Sequence, residues 1–280
     1  VVNALTDTDN NDQITITVND VISVANVNTL DAKTGLDLVL TGGVSDEAVN
    51  YSDALGNASA GLDAIAAQDD DVTLTVTTAV NMLQMAAINA ATNTAVVLTG
   101  GISDQAVNLV SAEVGNAETT EFTAATTQDT DVAVTITGGV DATAAQISAV
   151  AAATTGAVTA AIAGDYSVVN ALTNTDNNDQ ITITVNDAIS IANVNTLDAK
   201  TGVDLVLTGG VSDEAVNLVA ADGGNAETAG FTAATTQDPN VAVTITGGAA
   251  ANAAQISAVA AATTGAVTAA ITGDYSVVNA

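Results

Sequence analysis

The chain has no cysteine, no histidine and no tryptophan, and one proline in 280 residues. Without cysteine there is no disulfide framework, no thiolate zinc site and no thiol nucleophile. Without histidine the commonest general base and metal ligand is missing. Cations are almost absent: 2 Lys+Arg stand against 32 Asp+Glu, for a net charge of -30. The two are Lys33 and Lys200. No basic footprint exists to meet nucleic-acid phosphates or an anionic membrane surface. The acids cannot be balanced within the chain, so their mutual repulsion calls for screening by salt or metal ions. Aromatic residues make up 2% of a chain that is 48% hydrophobic, so its core is Ala, Val, Ile and Leu. No apolar run reaches the roughly 18 residues of a membrane-spanning helix.

What is present is repetition. Val1 to Asn50 recurs as Val168 to Asn217, with only Asp7, Val21, Val24 and Leu36 replaced, by Asn174, Ala188, Ile191 and Val203. The two lysines occupy one position of this repeat. The last four residues, VVNA, restart the same phrase, which reads as a window on a longer repetitive chain. A repeat of this kind decides the architecture before any local feature does.

Two kinds of short run alternate. ITITV at 14–18, VTLTVT at 72–77, VAVTIT at 132–137, ITITV at 181–185 and VAVTIT at 241–246 show the period-two pattern of a strand with two different faces. Between them fall LDLVLT at 36–41, AVVLT at 95–99, AVTAAI at 157–162, VDLVLT at 203–208 and AVTAAI at 266–271. After the first kind comes a helical pattern with Val27 and Leu30, or Ile147 and Val150, on one face. The Thr-Gly after it reads as a helix stop. After the second kind, Ser45 to Asn50 and its equivalents read as a capped helix start. Asn50, Asn108, Asn170, Asn217 and Asn279 recur as candidates for a ladder of stacked amides. Segments 57–68, 116–128 and 225–237 read as insertions forming a lateral ridge. The expectation is an α/β fold: a right-handed parallel solenoid of strand–short helix repeats over 1–280, about ten coils in five pairs on one long parallel sheet. An all-β solenoid is the alternative.

Acidic clusters precede the first kind of strand: Asp7, Asp9 and Asp12; Asp69, Asp70 and Asp71; Asp129 and Asp131; Asp176 and Asp179; Asp238. Calcium takes six to eight oxygen ligands from such flexible loops. The candidate metal ligands are therefore Asp7, Asp9, Asp12, Asp69, Asp71, Asp129, Asp131, Asp176, Asp179 and Asp238. The bland alternative is a solvated turn closed by Asx-type hydrogen bonds. The run from Asp7 to Asp12 lacks the Gly at the sixth position of an EF-hand loop, which excludes that motif. Gly-Gly pairs after strands sit where phosphate loops occur, but no Lys follows and they read as turns. Outward threonines such as Thr15 and Thr17 form a Thr-x-Thr row that resembles the ice-binding face of some antifreeze proteins. The second kind of strand interrupts that row. Every carboxylate pair is duplicated along the repeat, which suits a lattice rather than an enzyme's single site.

The phrases ITITVND…NVNTLDAKTG and AVTITGG…AAQISAVAAATTGAVTAAI resemble repeats of very large secreted bacterial proteins, the adhesin-like and surface-layer-like chains of cyanobacteria and marine bacteria. The resemblance implies secretion, great length and frequent calcium use. The GGxGxD nonapeptide of RTX repeats is absent. The expectation that follows is a non-enzymatic structural protein of an extracellular filament, stalk or sheath, with itself as partner. Its alternatives are the extender of a calcium-dependent adhesin and, further off, an ice-binding protein.

Overall fold

The computed structural model describes residues 5–111, 115–220, 224–247 and 251–272. The chain divides into two compact units, Val1–Thr137 with Ala149–Val158, and Gly138–Ser148 with Thr159–Ala280. The first contains α1 (Val24–Asp31), β1 (Val44–Asp46), α2 (Ala48–Tyr51), α3 (Ala60–Gln68), β2 (Leu74–Val76), α4 (Met82–Ala90), β3 (Val97–Leu98), β4 (Ile102–Gln105), α5 (Ala106–Leu109), β5 (Val110–Ser111), β6 (Ala117–Glu118), α6 (Thr120–Gln128) and β7 (Val134–Thr137). Helix α7 (Ala144–Ala153) follows. The second unit continues with β8 (Val158–Gly164), α8 (Tyr166–Val169), β9 (Gln180–Val185), α9 (Ile191–Asp198), β10 (Val211–Glu214), α10 (Ala215–Leu218), α11 (Ala229–Gln237), β11 (Val243–Thr246), α12 (Ala253–Ala262) and β12 (Val267–Thr268).

The longer helices start at side chains that accept the backbone N–H three residues on, satisfying an orphan donor of the first turn. Ser23 caps α1, Ser59 α3, Asn81 α4, Thr119 α6, Ser190 α9, Thr228 α11 and Asn252 α12. Asn81 with Gln84, and Asn252 with Gln255, close full capping boxes. Helices α1 and α7 thus begin at Val24 and Ala144, three residues before the apolar pattern that starts at Val27 and Ile147. Helices α3, α6 and α11 occupy the segments read as ridge insertions. They drive large side chains into the core, Leu62 and Ile65 from α3, Phe122 from α6 and Phe231 from α11, at 1% exposure or less.

In the first unit β1, β2 and β3 form a parallel sheet, with Val44 opposite Leu74 and Thr75 opposite Val97. Strand β4 pairs parallel with β7, and β5 with β6 antiparallel. In the second unit β8 pairs parallel with β9, and β10, β11 and β12 form another parallel sheet. Alternation works as the sequence requires: β7 and β11 each bury their Val and Ile and expose their Thr. Tyr51 is buried, and its hydroxyl donates to the Val44 and Thr75 carbonyls at 2.9 and 3.0 Å, tying β1 to β2. Burial, with the Asp46 charge beside it, pushes that phenol above its ordinary pKa.

The solenoid expectation is corrected here. The α/β composition holds, but among the described residues the strands form several short sheets, most of them parallel, instead of one long one, and no solenoid is found there. The all-β alternative fails against the helices above. Two physical reasons stand out. First, the runs 36–41 and 203–208 make only single bridges, Val39 with Thr17 and Val206 with Thr184, and on their other edge side chains, not a further strand, take up the amides. Second, strands β1, β4 and β10 come from Ser-Asp segments that had been read as helix starts. The helices there begin only at Ala48, Ala106 and Ala215.

The Gly-Gly turns divide their labour. A Cβ on Gly42 would lie 2.2 Å from the Asp20 backbone, so the first glycine makes room, whereas Gly43 at φ +78° supplies the left-handed turn.

Candidate functional site

The acidic corners end helices α3, α6 and α11 in the dipeptides Gln68-Asp69, Gln128-Asp129 and Gln237-Asp238. At the first, Leu38 N–H donates to Gln68 Oε1 at 3.0 Å and Leu40 N–H to Asp69 Oδ2 at 2.6 Å. At the second, Val96 donates to Gln128 Oε1 at 2.7 Å and Leu98 to Asp129 Oδ2 at 3.3 Å. At the third, Leu205 donates to Gln237 Oε1 at 3.1 Å and Leu207 to Asp238 Oδ2 at 3.2 Å. Two side-chain oxygens therefore stand where the carbonyls of a neighbouring strand would be. The amide ends of Gln128 and Gln237 are held in turn, donating to Asn89 Oδ1 and Asp198 Oδ1 at 2.5 Å. The glutamines are part of the corner that the acid pattern did not single out.

Burial pushes Asp69 above the usual carboxylate range, and the adjacent Asp71 carboxyl adds to it, against the Leu40 N–H that pulls it down. Asp129 is raised in the same way, by burial and then by Asp131. At the third corner Pro239 and Asn240 replace the second acid. Asp71 and Asp131 themselves are exposed.

The remaining candidates close turns. Asp9 Oδ1 accepts from Asn11 N–H and Asp12 Oδ2 from Asp9 N–H, both at 2.8 Å. In the second copy Asp176 Oδ1 accepts from Asn178 at 2.7 Å and Asp179 Oδ2 from Asp176 at 3.0 Å. Asp7 is exposed, with Thr6 Oγ1 at 3.5 Å. Among the described residues no three acidic side chains gather as a metal-ligating group. The structure brings together Asp9 with Asp12, Asp69 with Asp71, Asp129 with Asp131, and Asp176 with Asp179. It leaves Asp238 as the lone carboxylate of the candidate set at its corner.

A second set of aspartates was not singled out as candidate sites. Asp46, Asp104 and Asp213 each place one oxygen on the first N–H of a helix in the same unit: Val24 of α1 at 3.0 Å, Met82 of α4 at 2.8 Å and Ile191 of α9 at 2.9 Å. A carboxylate there also meets the positive end of the helix dipole. The other oxygen of each accepts from Asn50, Asn108 or Asn217 Nδ2 at 2.6, 2.7 and 2.7 Å. These asparagines bind the aspartate four residues back, not one another, which corrects the stacked ladder; Asn279 lies outside the described residues. The signal was the Asp-x-x-x-Asn spacing.

Both lysines reach backbone carbonyls. Lys33 Nζ donates to the Leu5 carbonyl and Lys200 Nζ to the Leu172 carbonyl, each at 2.5 Å. Beside the first corner lies a cleft of about 950 Å³ between residues 37–43 and 66–73; beside the third lies one of about 400 Å³ lined by 204–208, Gln237, Asp238, Asn240 and Ala242. Backbone acceptors and carboxylates can bind cations or orient backbone. The sequence holds no histidine or cysteine to work with them as base or nucleophile. Among the described residues no helix is long and apolar enough to cross a membrane. No family model matches this chain, and no curated protein and no solved structure shows significant similarity to it.

Proposed function

We propose that this chain is a non-enzymatic structural repeat protein that associates with copies of itself, outside the cell, into a filament, stalk or sheath. The observation that carries the reading is a surface feature placed three times over. Val49, Val107 and Val216, at one position of the short helices α2, α5 and α10, stand 62%, 56% and 54% exposed. A side chain repeated at equivalent positions gives a repeated contact, which a polymer uses and a single-site enzyme does not. The resemblance to adhesin-like and surface-layer-like repeats supports the same reading. Cations act here as a screening atmosphere around a chain of net charge -30, since Asp9, Asp12, Asp69, Asp129, Asp176, Asp179 and Asp238 already accept backbone hydrogen bonds and Asp7, Asp71 and Asp131 are exposed.

The test is negative-stain electron microscopy with sedimentation velocity on the purified chain, without partner, over a salt series. Assemblies are expected to grow as salt screens the charge, and calcium and magnesium are expected to act alike at equal ionic strength. Val107→Ser and Val216→Ser together should weaken assembly. Dispersed single particles at every salt concentration would sink the filament reading and favour the adhesin extender. A saturable, calcium-specific effect would replace the screening atmosphere with a bound ion.

A further inference from the structure

The runs 36–40, 95–98 and 203–207 are paired on one side only. Val39 exchanges hydrogen bonds with Ile16 and Val18 at 3.0 and 2.8 Å, and Val206 with Ile183 and Val185 at 3.0 and 2.8 Å. Strand β3 pairs with β2 through Val97 and Leu98. On the other side, at Leu38 and Leu40, Val96 and Leu98, and Leu205 and Leu207, the amides reach side chains of a Gln-Asp corner. An edge of free amides accepts any extended backbone and is a standing risk for association. Beside the first and third of these edges the clefts leave space.

We propose that Gln68-Asp69, Gln128-Asp129 and Gln237-Asp238 are edge guards: each occupies a strand edge that would otherwise add a strand from a second copy of this chain. The second copy is the occupant because the middle edge, Ala95-Val96-Val97-Leu98-Thr99, carries no charge. A matching uncharged strand is then available on every other molecule, and backbone pairing there brings no like charges face to face. This association differs from the one proposed through Val107 and Val216, and does not depend on it.

The experiment compares Gln128→Met with Asp129→Ala, singly and combined, against the parent chain at pH 7 and fixed salt. In dilute solution the Val96 and Leu98 amides of the double variant should exchange about 10-fold faster, as expected for the loss of roughly one net hydrogen bond each. At high concentration the same amides should be protected again while sedimentation shows a new dimer. Adding Val107→Ser should leave that dimer in place. Asp129→Asn, which keeps an acceptor oxygen, should behave as the parent. A double variant with parental circular dichroism and parental sedimentation overturns the proposal. If the double variant unfolds, Gln128→Met alone decides: unchanged exchange at Val96 overturns it, and faster exchange with concentration-dependent association upholds it.

Discussion

At the scale of single residues the recurring device is a buried threonine. Thr34, Thr92, Thr154, Thr201 and Thr263 lie just beyond the helices that follow the first kind of strand, and all are buried. Each hydroxyl donates to a strand carbonyl, Ile14, Val72, Val132, Ile181 or Val241, at 2.6–2.8 Å. Each also accepts a backbone N–H two residues on, as Thr201 does from Val203 at 3.2 Å. Thr201 takes a further bond from Ile181 N–H at 3.1 Å. Thr201→Val keeps the shape and removes all of these, so stability should fall by about 1–3 kcal/mol, the cost of leaving buried polar groups unpaired. A denaturation midpoint that drops with unchanged slope would register it; a change of only a few tenths would show the clasp to be ornamental. The sequence displays these threonines at the right spacing, but their reading as helix stops missed the role, because burial and partner depend on which strand the helix packs against.

At the scale of elements, helix approach is set by one position near each N-terminus. In α3 and α11 it is Gly61 and Gly230, where a Cβ would come within 2.4 Å of Val24 Cγ1 or Ile191 Cγ2. In α6 the same position is Glu121. Gly230→Ala should therefore cost about 1–3 kcal/mol by overpacking α9, although alanine is the better helix former. Glu121→Ala, where a side chain is already accommodated, should change stability little. Thermal melts of the pair settle it, and equal effects would mean that α11 shifts freely on α9. Helices α1, α4, α7, α9 and α12 were legible from their period, and the capping boxes Asn81-x-x-Gln84 and Asn252-x-x-Gln255 mark the starts of α4 and α12, whereas α3, α6 and α11 were read only as insertions. The existence of β1 was not legible: Ser-Asp-Glu favours a helix start locally, and only pairing with Leu74–Val76 makes it a strand.

For the molecule as a whole the governing quantity is charge. Asp69 and Asp129 are raised above the ordinary carboxylate value by burial and by Asp71 and Asp131. The folded chain therefore holds protons that the unfolded chain has released, and stability falls as pH rises through those raised values. Their contribution is fully present below the ordinary value of 3.8. Self-repulsion at net charge -30 has the same sign. The melting temperature should rise as pH falls from 7 toward the carboxylate range, and Asp71→Asn with Asp131→Asn should flatten that rise. A melting temperature that falls steadily over the same interval would contradict both arguments. The exposed Asp53, lowered by the amide of Asn57, pulls the opposite way, but water screens it.

Sequence alone determined the repeat, the strand faces, the cation deficit and the absence of thiol and imidazole chemistry, because each follows from residue type and short-range period. The tertiary structure decided what the aspartates and glutamines do. A carboxylate in a turn looks the same in sequence whether it faces water, a metal or an amide. Gln128 and Val96 stand 32 positions apart, and only folding sets one against the other. The same long-range pairing interrupted the long sheet that period-two runs suggest: where a side-chain oxygen takes the amide, the ladder stops and a short sheet remains.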